Sequence, residues 1–234
     1  MSFTQSITQK LNDSPKARWS ALIIVSITMM MGYYVTDLFS PLESILTKST
    51  AEGGLGWSAS DYGFFSGSYG LINVFLLMLF FGGLILDKLG IRFTGLLSAS
   101  LMLVGVIIKY LAVSVDFGAS VFSVDVLSFQ LHLPMSAAVA SLGFAIFGVG
   151  AEITGITISK TITKWFTGHE LALAMGVQVG LARLCTAAAL GLNPILAKST
   201  GSLQTPVLFA MSLLIIGLLC FIAYNVMDRK LDAA

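Results

Sequence analysis

The chain has 234 residues, of which 56% are apolar and only 11% are charged, and its net charge is +1 at pH 7. Soluble domains carry about a quarter of their residues as charged side chains. This chain therefore cannot supply the polar surface that a soluble fold needs. The small net charge, without a basic stripe, also argues against a nucleic-acid partner.

Six stretches of the sequence are continuously apolar and long enough to cross a membrane. A helix needs about 20 apolar residues for this, and continuous rather than alternating apolarity favours helices over a barrel. We expect a polar cytoplasmic arm at 1–19 without a removable signal peptide, one bundle over 20–227, and a linker beginning, or the chain ending, at 228–234. The predicted spans lie near 20–46, 61–83, 93–114, 136–160, 171–193 and 205–226.

The distribution of lysine and arginine predicts the orientation. Cytoplasmic loops are enriched in these residues, and placing the N-terminus inside leaves only three of them in outer segments, namely Lys48, Lys109 and Lys198. We therefore expect a multi-pass protein of a bacterial cytoplasmic membrane with both termini in the cytoplasm. Lys109, near the outer end of the third span, is expected to be solvated.

Three local patterns predict structure outside the spans. Ser58 and Asp61 have the spacing of a capping box that would open the second helix. The outer connection 115–135 is the longest and is expected to hold a surface-lying or extended piece. The aromatic pair Trp165 and Phe166 is typical of residues at the membrane interface.

A second kind of pattern concerns small residues in the fifth span. Ala172, Gly176 and Gly180 recur every four residues. Such a face favours the close approach of another helix.

Glu152 in the fourth span and Arg183 in the fifth are the strongest candidates for function. A charge within a span is costly unless it faces a cavity or a partner. A carboxylate could bind a solute amine, and a guanidinium could bind a solute carboxylate in a planar fork. The alternatives are a structural ion pair between the two helices, or an arginine that extends towards lipid phosphates.

Weaker candidates lie in the first two spans. Asp37 is either a wet interface residue or a proton-titrating group. Tyr34 and Tyr69 either pack or contact solute, and Asn73 could bond across helices. No nucleophile–base arrangement and no cluster of metal ligands is present, so we expect no enzyme, no metal and no cofactor.

A short cytoplasmic loop is expected at 84–92, with Gly90 supplying a turn. Together with Gly83, this loop resembles the signature of the major facilitator superfamily, G-x-x-x-D-[RK]-x-G-[RK]-[RK]. Ile91 departs from it, at a position where a basic residue is usual. The resemblance implies that the acidic and basic residues of this loop latch a cytoplasmic gate, as a carboxylate at a helix end can bind a facing helix N-terminus. The matching residues are Gly83, Asp87, Lys88, Gly90 and Arg92.

Segments 147–152, 165–171 and 182–184 are similar to the lysosomal dipeptide transporter group of that superfamily and its bacterial relatives. The resemblance implies that Glu152 and Arg183 line the solute cavity and hold the two ends of a peptide. His169 stands where a lysine is usual, and Phe144 stands where an arginine often precedes the glycines.

These resemblances imply half of a twelve-helix transporter, built as two inverted three-helix repeats. The expected function is alternating-access transport of a small zwitterionic or anionic solute, possibly a dipeptide, with Asp37 or Glu152 as proton-coupling candidates. A proton-coupled sugar or organic-anion carrier, or a membrane scaffold subunit, are the alternatives. The expected partner is a second six-helix half, which would be in the same protein, in a separate chain or in a second copy, and we favour the first.

Overall fold

The computed structural model describes residues 13–126 and 129–233, and helices dominate this part of the chain. Helix α1 spans Pro15–Thr36, and a short helix, α2, follows at Glu43–Leu46. The longer helices after them are α3 (Ala59–Phe75), α4 (Met78–Ser114), α5 (Met135–Phe166), α6 (Leu171–Thr200) and α7 (Gln204–Ala233). The prediction of an all-α fold is therefore confirmed, apart from one hairpin in the 115–135 connection.

Several of these helices have the length and composition of membrane spans. Within the described residues, five helical stretches are long and apolar enough to cross a membrane, namely Pro15–Leu46, Met78–Ser114, Met135–Phe166, Leu171–Thr200 and Gln204–Ala233. Helices α5, α6 and α7 extend beyond the predicted spans, whereas α1 ends at Thr36, before the end of the predicted span 20–46. Since α1 begins at Pro15, the last residues of the predicted arm 1–19 are helical, and its residues 1–12 lie outside the described residues.

The predicted second span, 61–83, is not one continuous helix. Helix α3 ends at Phe75, and α4 begins at Met78 after Leu77, whose φ of 49° is left-handed. A left-handed residue interrupts the ladder of backbone hydrogen bonds that a helix needs. The surrounding sequence is apolar throughout, so no turn residue marks the break.

The predicted turn at Gly90 is confirmed. Gly90 has φ 79° and ψ 173° inside α4, a conformation that is open essentially to glycine alone. The rest of the predicted loop 84–92 is wrong, because helix continues on both sides of this glycine.

Helix α5 lies at the centre and packs against α1, α3 and α4. Its contact with α4 is close because glycines face each other. A Cβ added to Gly105 would lie 2.6 Å from the carbonyl oxygen of Gly143, and one added to Gly150 would lie 2.7 Å from that of Ser98. Small residues at such positions let two backbones approach.

Helix α1 is fixed to α6 and α7 by polar contacts. The Thr28 hydroxyl donates to the carbonyl of Gly217 at 2.8 Å, and the Tyr34 hydroxyl donates to Oδ1 of Asn193 at 2.7 Å. Hydrogen bonds between helices stabilise packing where lipid offers no partner.

The two predicted features at the outer end are both found. Ser58 Oγ accepts from the Asp61 N–H at 3.2 Å, and Asp61 accepts from the Ser58 N–H at 2.8 Å, which confirms the capping box. The 115–135 connection holds an antiparallel hairpin of β1 (Val121–Val126) and β2 (Phe129–Pro134), with Val121 opposite Pro134.

Candidate functional site

A cavity of about 450 Å³ lies among α1, α3, α4, α5 and α6. Its volume is within the usual range of small-molecule sites, roughly 300–1,000 Å³. Of the described residues that line it, only Glu152 is charged. The other polar residues of the lining are Tyr33, Thr36, Tyr69, Ser159 and Gln178.

Glu152 and Tyr69 form a direct pair at this cavity. The Tyr69 hydroxyl donates to Oε1 of Glu152 at 2.8 Å. Helices α3 and α5 approach closely here, since a Cβ added to Gly148 would overlap the carbonyl oxygen of Tyr69. The second carboxylate oxygen of Glu152 has no protein partner among the described residues.

Arg183 lies behind the wall of the cavity rather than in its lining. Its side chain is exposed, and its guanidinium carbon lies 5.3 Å from the centre of the Tyr33 ring. Among the described residues, no ion pair within 4.0 Å joins Arg183 to Glu152.

Two other predicted residues do not line this cavity. Tyr34 is only 2% exposed and is bound to Asn193, whereas its neighbour Tyr33 faces the cavity. Asn73 donates from Nδ2 to the carbonyl of Tyr69 at 3.4 Å. Asn73 therefore contacts the backbone of Tyr69, within the same helix, rather than the cavity.

Asp37 lines a second, smaller cavity of about 240 Å³. Thr36 and Tyr69 belong to the linings of both cavities. The two polar cavities are therefore neighbours, and Tyr69, bound to Glu152, stands between them.

Lys109 was expected to be solvated at a helix end, and this expectation is wrong. Its side chain is fully buried, and its Nζ has no hydrogen-bond partner among the residues that the structure describes. Instead the ammonium group lies over four phenylalanine rings. The distances from Nζ to the ring centroids are 4.3 Å for Phe144, 4.8 Å for Phe39, 5.5 Å for Phe65 and 5.8 Å for Phe147.

Asp87 and Arg92 of the predicted gate motif form ion pairs within this chain. Asp87 binds Nζ of Lys160 at 2.6 Å, and Arg92 contacts Asp228 at 3.3 Å and Asp232 at 2.6 Å. The side chain of Lys88 is exposed, and a Cβ at Gly83 would meet open space. All of these residues lie at the end of the bundle opposite the hairpin.

Sequence reasoning missed the acidic residue at the centre of this cluster. Asp228 is 1% exposed and binds Nζ of Lys164 at 2.7 Å. The Tyr224 hydroxyl also donates to Asp228, at 2.9 Å, and accepts from Nε1 of Trp165 at 3.2 Å. Trp165, which is 1% exposed, is therefore a buried partner of this network.

A further ion pair ties α1 to the α5–α6 connection. Nη2 of Arg18 donates to the two carboxylate oxygens of Glu170 at 3.1 and 2.9 Å. The backbone N–H of Glu170 itself, and then the Arg18 guanidinium, hold the pKa of this carboxyl below its usual range.

Comparisons with family models, curated proteins and solved structures find no match to this chain. The class follows from the fold alone. Five long apolar helices are compatible with a multi-pass membrane protein.

Proposed function

We propose that this chain is one six-helix half of a membrane transporter of the major facilitator kind, which moves a small solute by alternating access. The solute is zwitterionic or anionic, with a dipeptide as the first candidate. The observation that supports this most directly is the carboxylate of Glu152, which is hydrogen-bonded to Tyr69 at a cavity of about 450 Å³ among helices.

The proposal counts six spans because α4 is divided at Gly90 and its first part is joined to α3 across the break at Leu77. The second span would consist of α3 and the part of α4 before Gly90, interrupted at Leu77, and the third would be the part of α4 after Gly90. Discontinuous spans are typical of transporters, because the freed backbone groups serve a cavity. The two sets of three spans would then be inverted repeats.

The chemistry of the cavity favours an ammonium group on the solute. Glu152 is the one charge among the described lining residues, and one of its oxygens is not engaged by Tyr69. A solute ammonium would bind there as a charge-assisted hydrogen bond. The solute carboxylate would bind Arg183 once Tyr33 moves, since the guanidinium already rests against that ring.

The second cavity extends this path towards the hairpin. Asp37 would be the first carboxylate that the solute or a proton meets, and Tyr69 would separate it from Glu152. Proton coupling through either carboxylate belongs to the same proposal.

The second half of the transporter would cover two apolar faces. Around the α3–α4 break Phe75 is 77% exposed and Phe80 is 63% exposed. On α6, a Cβ at Gly176 or Gly180 would meet open space, so this small-residue face has no partner among the described residues. Asp87 and Arg92 would exchange their present partners for that half as the cytoplasmic gate moves.

Ligand-dependent thermal stabilisation tests the proposal. A ligand at a hundredfold excess over its Kd stabilises the folded state by about 2.7 kcal/mol. We expect dipeptides to raise the unfolding midpoint of the purified protein. Glu152→Gln should abolish the rise, and Glu43→Gln, which changes an exposed glutamate in the same way, should preserve it.

The same assay separates the alternatives. A midpoint that rises with sugars or dicarboxylates but not with dipeptides would favour the sugar or organic-anion carrier. If no small solute raises the midpoint, and exchanging the charges of Glu152 and Arg183 leaves the cellular role of the protein intact, the scaffold function would replace the transporter.

A further inference from the structure

A third cavity is an apolar cleft of about 410 Å³, which lies between α3, α5 and the hairpin, away from the Glu152 cavity. One face of α3 forms one wall, with Phe64, Leu71 and Ile72 at helical spacing. Small residues of α5, Ala138 and Ala145, lie opposite. The hairpin residues Phe122 and Leu133 close one end.

The chemistry of this cleft differs from that of the solute cavity. None of its described lining residues is charged. A polar solute that entered would lose its hydration without gaining partners. The cleft also continues into the lipid-facing surface, because Leu142 and Phe122 line it and are 54% and 40% exposed.

One polar group in the cleft is unsatisfied. Ser141 is 4% exposed, and within the described ranges 13–126 and 129–233 its Oγ has no hydrogen-bond partner. Helical hydroxyls usually bond to the carbonyl four residues earlier, as Thr157 and Thr161 of the same helix do at 2.7 and 2.9 Å. The facing hydroxyl of Ser68 is already bound to the carbonyl of Phe65 at 2.6 Å.

We propose that this cleft is a binding site for one acyl chain of an ester-linked membrane phospholipid, whose ester carbonyl accepts the hydrogen bond of Ser141. The headgroup lies towards the hairpin, and the chain runs along α5 past Ala145. The occupant is apolar because the walls are uncharged, and it carries an acceptor because a buried hydroxyl without a partner is destabilising. The bilayer supplies such a molecule where the cleft opens.

Photo-labelling of the full chain in phosphatidylcholine vesicles tests the site. The probe is a phosphatidylcholine with a diazirine in the middle of one ester-linked acyl chain, and labelled peptides are quantified by mass spectrometry. We expect adducts to concentrate on α3 and α5 at the cleft. Ala138→Leu should reduce these adducts at least fivefold, and the control Ala187→Leu, on the exposed face of α6, should leave them unchanged.

Competition in detergent micelles tests the role of the hydroxyl. Unlabelled ester-linked phosphatidylcholine should compete with the probe about two- to tenfold less well after Ser141→Ala, the range expected for one hydrogen bond. The ether-linked analogue lacks the carbonyl and should compete equally with both forms.

Three outcomes would overturn the proposal. One is labelling spread over the whole apolar surface with no effect of Ala138→Leu. Another is an equal effect of Ser141→Ala on ester and ether lipids. The third is a cleft that stays unlabelled in every variant, as expected if a second copy of the chain covers it. A folded state is confirmed for each variant by an unfolding midpoint within 3 °C of the parent, a window of about 1 kcal/mol.

Discussion

Replacing Lys109 with methionine should stabilise the protein. The Lys109 side chain is fully buried, and in the described part of the chain its Nζ has no hydrogen-bond partner. Removing an ammonium group from water costs several kcal/mol even after relaxation. Methionine keeps the unbranched length of the side chain and is itself a good filler of irregular cores.

The size of the effect depends on how much of the desolvation cost of the ammonium group the four aromatic rings offset. An ammonium over one aromatic ring gains about 0.5–2 kcal/mol, but the ring distances at Lys109 range from 4.3 to 5.8 Å, so the rings do not contribute equally. Replacing a buried ion pair with apolar residues of similar volume is often neutral or stabilising, by about 1–4 kcal/mol, and we apply the stabilising range to this unpaired ammonium group. At about 3 °C for each kcal/mol in a chain of this size, Lys109→Met should raise the unfolding midpoint by roughly 3–12 °C.

Thermal unfolding in one detergent, followed by circular dichroism, measures this change. The control is Lys198→Met, in the exposed last turn of α6, which should change the free energy of unfolding by less than about 0.5 kcal/mol, or the midpoint by less than roughly 1.5 °C. A lower midpoint in Lys109→Met, with Lys109→Arg as stable as the parent, would refute the reasoning. That result would mean that the charge of Lys109 is itself stabilising.

Three further predictions concern packing and charge. Gly148→Ala should cost about 1–3 kcal/mol in the thermal assay, because its Cβ would overlap the carbonyl of Tyr69, whereas Gly176→Ala on an open face should not destabilise. Asp228→Asn should cost about 1–3 kcal/mol, because Lys164 and Arg92 lose their buried partner but are partly exposed and keep Asp232, whereas Asp87→Asn, 75% exposed, should cost under about 1 kcal/mol. The pKa of the Glu170 carboxyl is lower in the folded than in the unfolded protein. The stabilisation by the ionised carboxylate is therefore fully present at pH values above the ordinary pKa of glutamate, and it is lost as the pH falls through the folded-state pKa. The unfolding midpoint should therefore fall less on acidification in Glu170→Gln than in the parent, and equal slopes would contradict this.

Sequence alone could predict the features that depend on neighbouring residues. The capping box of Ser58 and Asp61 is one, since both members lie within one helical turn. The turn at Gly90 is another, because its conformation needs glycine. Apolar runs likewise predicted the membrane helices, since length and composition are properties of each segment.

The features that sequence could not predict depend on distant elements. Lys109 is buried because rings from α3, α5 and the segment after α1 cover it, and no pattern around Lys109 in the chain reports them. Tyr33 and Tyr34 are adjacent in sequence, but they point about 100° apart on the helix. Only the packing of α6 decides that Tyr33 faces the cavity and that Tyr34 binds Asn193.

The glycines of α5 link packing to the proposed chemistry. Gly148 and Glu152 are four residues apart and so lie on the same face of α5. Gly148 contacts the backbone carbonyl of Tyr69, and Glu152 accepts the hydroxyl of the same tyrosine. One helical turn of α5 therefore positions both the backbone carbonyl and the hydroxyl of Tyr69. A side chain at 148 would displace the backbone of Tyr69 and with it the hydroxyl that separates the two cavities, so in this helix close packing is itself a condition of the site.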